Sequence, residues 1–245
     1  MIAIIGATHD DILYFSKVLY NAREETILNK FTAHIGTIFN QEVIVIHEQF
    51  SSILTSAVIT EITSKYYIDL VISVGKCVGV DYNTKSGDIV ISNKIIDVNV
   101  DLALVRNVGL GEIPGFQREF LVQNDIIHYM KNSVSKRTYV NGYDAVYFSS
   151  DNLSEDNLLT LSSNRFLFGI TDERIVVDHN SAGMALAASL KNVPFISIKV
   201  VENMIDQQAK IENYLDVLER YIDLGKSVVS TIGDIGRNDI LRGGN

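Results

Sequence analysis

Leu70-Val71-Ile72-Ser73-Val74-Gly75-Lys76-Cys77-Val78-Gly79 is the stretch that decides the fold. Leu70 to Gly75 is short, apolar and rich in β-branched residues, which reads as a strand buried on both faces. It runs into a glycine-bounded turn, Gly75 to Gly79. Working outward, the same kind of run recurs at Ile2 to Gly6, at Gly87 to Ser92, at Val140 to Ser149, at Arg174 to Val177 and at Pro194 to Val201. Between these runs lie stretches of helical periodicity. Asp10 to Asn21 has Ile12, Phe15 and Leu19 on one face, with Thr8 or Asp10 as cap. Ser51 to Tyr66, Asn124 to Ser135, Asp156 to Ser163, Ser181 to Lys191 and Asp206 to Val229 follow. Phe31 to Phe39 and Glu42 to His47 flank Asn40-Gln41 and read as a hairpin. Alternation of this kind predicts an α/β fold around a largely buried, mixed or parallel sheet.

The 245 residues suit one domain spanning 1–245, with about 230–245 expected to fray. A formal charge of −9 and no Lys/Arg cluster argue against a nucleic-acid partner. The single cysteine, Cys77, excludes an internal disulfide and fits a reducing cytoplasm. Met1 to Ala7 is apolar but too short for a signal-peptide core or a membrane span, so no membrane role is expected. The five histidines are scattered, and no metal or cofactor fingerprint is present.

In open α/β sheets ligands sit outside the carboxyl ends of strands. That geometry selects Ala7 to Asp11, His47 to Ser52, Gly75 to Gly79, Ser149 to Ser154, Asp178 to Ser181 and Glu202 to Asp206.

The same segments carry a family likeness. Ile4-Ile5-Gly6-Ala7 with its acidic helix start, the Gly75 to Gly79 turn and Gly87-Asp88-Ile89-Val90-Ile91-Ser92 come first. Asp101, Ile113-Pro114-Gly115, Asn192-Val193-Pro194-Phe195 and Asp206-Gln207-Gln208 follow in order. In these features the chain resembles the 5'-methylthioadenosine/S-adenosylhomocysteine nucleosidases of the nucleoside phosphorylase superfamily, from Met1 to about Val229. The resemblance implies a three-layer α/β/α sandwich around a central mixed sheet and a homodimer. It also implies cleavage of a purine N-ribosidic bond through an oxocarbenium-like transition state. In such a dimer the partner's 5'-pocket would involve Leu102 to Arg106 and Pro114.

Carried over position by position, the resemblance makes Asp11 the water-activating carboxylate, where the family has Glu. Asp11 serves equally well as a first-turn carboxylate facing the helix dipole. Asn203 stands where the family has the Asp that donates to the leaving base, and an amide can hydrogen-bond N7 but not protonate it. The family's Glu-Met-Glu becomes Asp178-His179-Asn180, so the second ribose-holding carboxylate is an amide, or simply a cap for the helix after it. Lys76 replaces a small serine; it could pair with Asp11, bind an anionic substrate group or fill the pocket. Phe50, Gly79, Leu153 and Glu202 complete the implied substrate contacts, with Glu202 expected on the strand face opposite Asn203. Three readings follow: a nucleosidase with altered base preference, an impaired relative that binds a nucleoside or other small ligand, and a purine nucleoside phosphorylase.

Overall fold

The computed structural model describes residues 1–48, 51–102, 104, 107–137, 142–205 and 214–238, with the side chains of 214–217 outside the description. Phe50, residues 206–208 and three members of the Leu102 to Arg106 loop lie outside the described residues.

Ten strands form one mixed sheet: β1 (Ile2–Gly6), β2 (Tyr20–Ile27), β3 (Phe31–Ile38), β4 (Gln41–His47), β5 (Leu70–Gly79), β6 (Ile89–Asp97), β7 (Glu119–Leu121), β8 (Gly142–Ser149), β9 (Ile175–Asp178) and β10 (Phe195–Met204). Parallel pairing joins β4, β1, β5 and β10. Beyond them β10 pairs antiparallel with β6, β6 parallel with β8, β8 parallel with β9, and β9 antiparallel with β5. Those five strands therefore close on themselves. The other arm is a meander in which β3 and β2 extend antiparallel from β4.

Helices cover the sheet: α1 (His9–Val18), α2 (Ser52–Lys65), α3 (Asn124–Arg137), α4 (Glu155–Ser163), α5 (Ser181–Leu190) and α6 (Tyr214–Asn238). One group pairs α2 with α5, and the other gathers α1 and α3 on α6. The buried Ile, Val and Leu of β1, β4, β5, β6 and β10 form one continuous core with the inner faces of those helices. This is the expected α/β/α arrangement.

Several boundaries differ from the sequence reading. The first helix ends at Val18, and Tyr20–Ile27 is an edge strand in which only Ile27 is buried. An edge strand bathed in solvent has no apolar alternation to reveal it. Residues 230–238 are helical rather than frayed, because Ile232 and Ile235 are buried in the core.

The glycine turn at Gly75 to Gly79 is instead the second half of β5. Gly75 has φ +137, and the chain continues in register with β10 from Lys76↔Val200 onward. Only glycine tolerates that backbone angle, and a Cβ there would come within 3.1 Å of the Asp11 carboxyl. The strand bends to admit the acid rather than ending.

A second glycine fixes the other wall. A Cβ on Gly183 in α5 would lie 1.9 Å from the Ser52 carbonyl oxygen of α2. Ser56 Oγ donates to the Gly183 carbonyl at 3.1 Å, and Ser52 Oγ donates to the His179 carbonyl at 3.1 Å. Backbone against backbone leaves no flexible atom to yield. Gly183→Ala is therefore expected to cost at least ~2 kcal/mol and to lower Tm by about 5 °C or more. A thermal melt by circular dichroism checks this; an unchanged Tm would show that α2 and α5 are free to separate.

Candidate active site

Asp11 enters from the first turn of α1. Thr8 caps that helix by accepting from the Asp11 backbone N–H at 3.3 Å, while Asp11 Oδ2 accepts from the N–H groups of Thr8 (2.8 Å) and Ala7 (3.1 Å). Thr8 is thus the cap, one of the two foreseen, and Asp11 completes a capping box that consumes one of its oxygens. Oδ1 is buried and accepts no hydrogen bond among the described residues. The carboxyl lies against the bend at Gly75. Tyr221 of α6 stands beside it, its hydroxyl pushed up first by burial and then by the Asp11 charge.

Opposite, a polar network is sealed inside the protein. Lys199 on β10 is 1% exposed; its ammonium donates to Asp178 Oδ2 at 2.8 Å and to Asn180 Oδ1 at 2.6 Å. Asp178 also accepts from the Ser181 hydroxyl and from its N–H at 3.3 Å. Asp178, not Asn180, therefore caps α5; the Asn180 side chain makes no cap bond. Burial pushes the Asp178 carboxyl up, yet Lys199 and the Ser181 bond outweigh it and hold the acid below its ordinary value. Burial, with Lys199 nearby, drops His179 to about 4, so its ring is neutral at physiological pH.

Asn180 reaches onward. Its Nδ2 donates to Glu48 Oε1 at 3.2 Å, and Thr55 Oγ1 donates to the same oxygen at 2.7 Å. Glu48 is fully buried at the end of β4, and its Oε2 accepts no hydrogen bond among the described residues. Burial dominates its chemistry and lifts the carboxyl to about 7 against the bonds from Thr55 and Asn180 and the charge of Lys199. Sequence reasoning selected the segment His47 to Ser52 but passed over Glu48. The signal was there: an acid one histidine beyond the apolar run Val43 to Ile46, at a strand's carboxyl end, is seldom buried without a purpose.

The β5–β10 edge holds a second charged pair. Lys76 Nζ donates to Glu202 Oε1 at 2.7 Å, each side chain 35% exposed. The lysine pairs with neither Asp11 nor an empty pocket. A bulge makes this possible: Val201 is opposite Cys77 and Asn203 opposite Val78, leaving Glu202 as the extra residue. The bulge turns Glu202 to Lys76 and aligns Asn203 with Val78 rather than Gly79.

Lys76, Leu153, Val177, Asp178, His179 and Glu202 line a cavity of about 170 Å³. Five of the expected residues are thus brought together. Asp11, Asn180 and Asn203 do not line the cavity. Gly79 does not belong to it; its Cβ position is filled by Met204 and Thr84. Phe50 lies outside the described residues. A larger cleft of about 350 Å³ beside Tyr82 and Lys85 holds none of the expected groups. Its buried acid, Asp81, is spent on Asn83, Thr84 and Ile175. Among the described residues no cluster of His, Cys, Asp or Glu is placed to hold a metal ion, and no helix is long and apolar enough to cross a membrane.

Comparison with known proteins places this architecture. The family described as the phosphorylase superfamily matches residues 1–232. A 5'-methylthioadenosine/S-adenosylhomocysteine nucleosidase of Buchnera aphidicola is 27% identical over 214 residues, covering 86% of this chain and 88% of the relative. The Bacillus pumilus protein of the same name is 22% identical over 212 residues, covering 86% and 88%. Among solved structures, the Neisseria meningitidis nucleosidase bound to methylthio-immucillin-A superposes with TM-score 0.83 at 19% identity, over 95% of this chain and 98% of that one. A futalosine hydrolase mutant of Helicobacter pylori gives 0.83 at 17% identity, over 95% and 98%.

The Glu48 carboxyl titrates at about 7 in the fold against an ordinary 4.5. Between those values the native state binds the extra proton, so stability falls as pH rises through the window. Glu48→Gln keeps the acceptor and removes the charge. It is expected to stabilise the protein at pH 8 by up to roughly 3 kcal/mol, with the gain shrinking toward pH 5. Urea denaturation at both pH values checks it; a gain independent of pH would contradict the buried-charge account.

Proposed function

The chain belongs to the phosphorylase superfamily, and within it we propose that it hydrolyses the N-ribosidic bond of a purine nucleoside, methylthioadenosine foremost. The observation that carries this reading is the Asp11 carboxyl. One oxygen is fixed by two backbone N–H groups, and the other is buried with only the Tyr221 hydroxyl beside it. An acid held this way can orient a water molecule and take its proton as the water attacks C1' of the sugar. The relatives named as nucleosidases support the same chemistry.

Phosphorolysis is not favoured. A phosphate co-substrate needs unspent cations or N–H donors. Here Lys76 is neutralised by Glu202, and Lys199 by Asp178. Water asks only for a base.

On the leaving side Asn203 replaces an acid. Its amide can bond N7 and the 6-amino group of adenine together, or turn its N–H₂ to N7 and O6 of a 6-oxopurine. It stabilises the departing base without protonating it, so the proton must come from solvent. That predicts slow turnover and leaves base preference open to the amide's orientation. A second reading, a nucleoside-binding relative that does not turn over, is favoured by the same substitution.

Two finer points belong to this reading. The protein pairs as a homodimer through the loop bearing the exposed Leu104 and Phe116, and it works in the cytoplasm, as its one buried free cysteine suggests.

Chromatography of free base from methylthioadenosine, S-adenosylhomocysteine, adenosine, inosine and guanosine tests the proposal. Release in phosphate-free buffer, unaccelerated by phosphate, is expected, and Asn203→Asp should raise kcat by about 100-fold. Phosphate-dependent release would overturn hydrolysis. Silence from both proteins would leave the binding relative.

A further inference from the structure

Asn180 stands where a ribose-holding carboxylate is expected, but the space around it does not lack a carboxylate. Glu48 lies one hydrogen bond away, contributed by a different strand. Its two oxygens are unequal. Oε1 accepts from both Thr55 and Asn180, whereas Oε2 is buried and bonded to nothing among the described residues. The nearby donors are committed elsewhere: Lys199 to Asp178 and Asn180, and the Ser181 hydroxyl to Asp178. A buried acceptor left open is costly, and natural structures keep few of them without a reason. What would satisfy Oε2 is a hydroxyl or amine brought by a ligand.

Position supports a sugar hydroxyl. Asn180 directly continues the wall formed by Asp178 and His179 in the cavity of about 170 Å³. Nucleoside-sized ligands occupy pockets of roughly 300 Å³ or more, so binding has to enlarge this one. Enlargement past His179 and Asn180 leads to the open oxygen of Glu48. A neutral hydroxyl is the donor that fits, because Lys199 already faces the two acids of this network.

Building on the nucleoside reading above, we propose that Glu48 holds a ribose hydroxyl in place of the acid missing at position 180. Its Oε1 fixes the Asn180 amide while its Oε2 accepts from the sugar. The carboxylate has moved from the start of α5 to the end of β4, and the amide at 180 is its complement; two acids there would repel. The groups facing Glu48 are Lys199 from β10, Asp178 from β9 and the uncharged Thr55 from α2 and Asn180. His179, neutral at this pH, adds no charge. Since the carboxyl ionises at about 7 and its ionised form is the stronger acceptor, nucleoside affinity rises from pH 6 to pH 8.

Calorimetric titration of the full chain with methylthioadenosine, its 2'- and 3'-deoxy analogues and free adenine tests this, at both pH values. Glu48→Gln should weaken methylthioadenosine by about tenfold or more, flatten its pH dependence and leave adenine unchanged. One deoxy analogue should bind wild type and variant alike. Adding Asn180→Glu to the Glu48→Gln protein should recover affinity, whereas Asn180→Glu alone should lower it. A Glu48→Gln protein that binds methylthioadenosine as wild type does, or that loses adenine equally, overturns the assignment and leaves the nucleoside reading intact. A wild-type protein that binds neither nucleoside nor adenine removes both.

Discussion

Lys199 carries its ammonium into a place that water does not reach, and the arrangement of the site follows from how that charge is met. An unpaired cation in such surroundings is prohibitive, and a buried pair gains little over an apolar substitute. The lysine is tolerable only because Asp178 answers its charge and Asn180 completes its bonding. That requirement fixes the end of β9, the start of α5 and the middle of β10 relative to one another. Through Asn180 it extends to Glu48 and so to β4 and α2. Three stretches of the chain, Glu48 to Thr55, Asp178 to Ser181 and the one around Lys199, are locked around one proton-bearing nitrogen. Removing it would leave the buried Asp178 carboxylate without its counter-charge, a loss of about 3–5 kcal/mol in comparable cases.

The site's other polar residues also depend on one another. Read singly in the sequence, Lys76, Glu202, Asn180 and Asn203 look independent. In three dimensions Lys76 and Glu202 are an ion pair across the β5–β10 edge, placed by the bulge. Asn180 and Glu48 form a second pair, joined by a hydrogen bond. Only Asn203 stands without such a counterpart.

Much of the fold was legible in the residues. Buried parallel strands announce themselves as apolar runs rich in β-branched residues, and Ile2 to Gly6, Leu70 to Gly75 and Pro194 to Val201 read that way. The edge strand Tyr20–Ile27 was not, because its polar, solvent-facing residues carry no period. Nor was the course of the chain past Gly75, where a glycine that seemed to end a strand instead bends it around Asp11. For the site, the strand-end rule selected the segments that hold Asp11, Lys76 and Asp178, but not the partners those residues bond. Glu202 bonds Lys76 across 126 positions, and Glu48 meets Asn180 across 132. Such pairings are set by strand register and by a single bulge, neither of which periodicity encodes.

The account rests on water being activated at the second carboxylate oxygen of Asp11. Cleavage of methylthioadenosine with enzyme in excess and phosphate present, read as the identity of the sugar product, tests that claim directly. Free methylthioribose with no sugar 1-phosphate is the predicted outcome, and its formation should vanish with Asp11→Asn. Release of the base with a sugar 1-phosphate would contradict it.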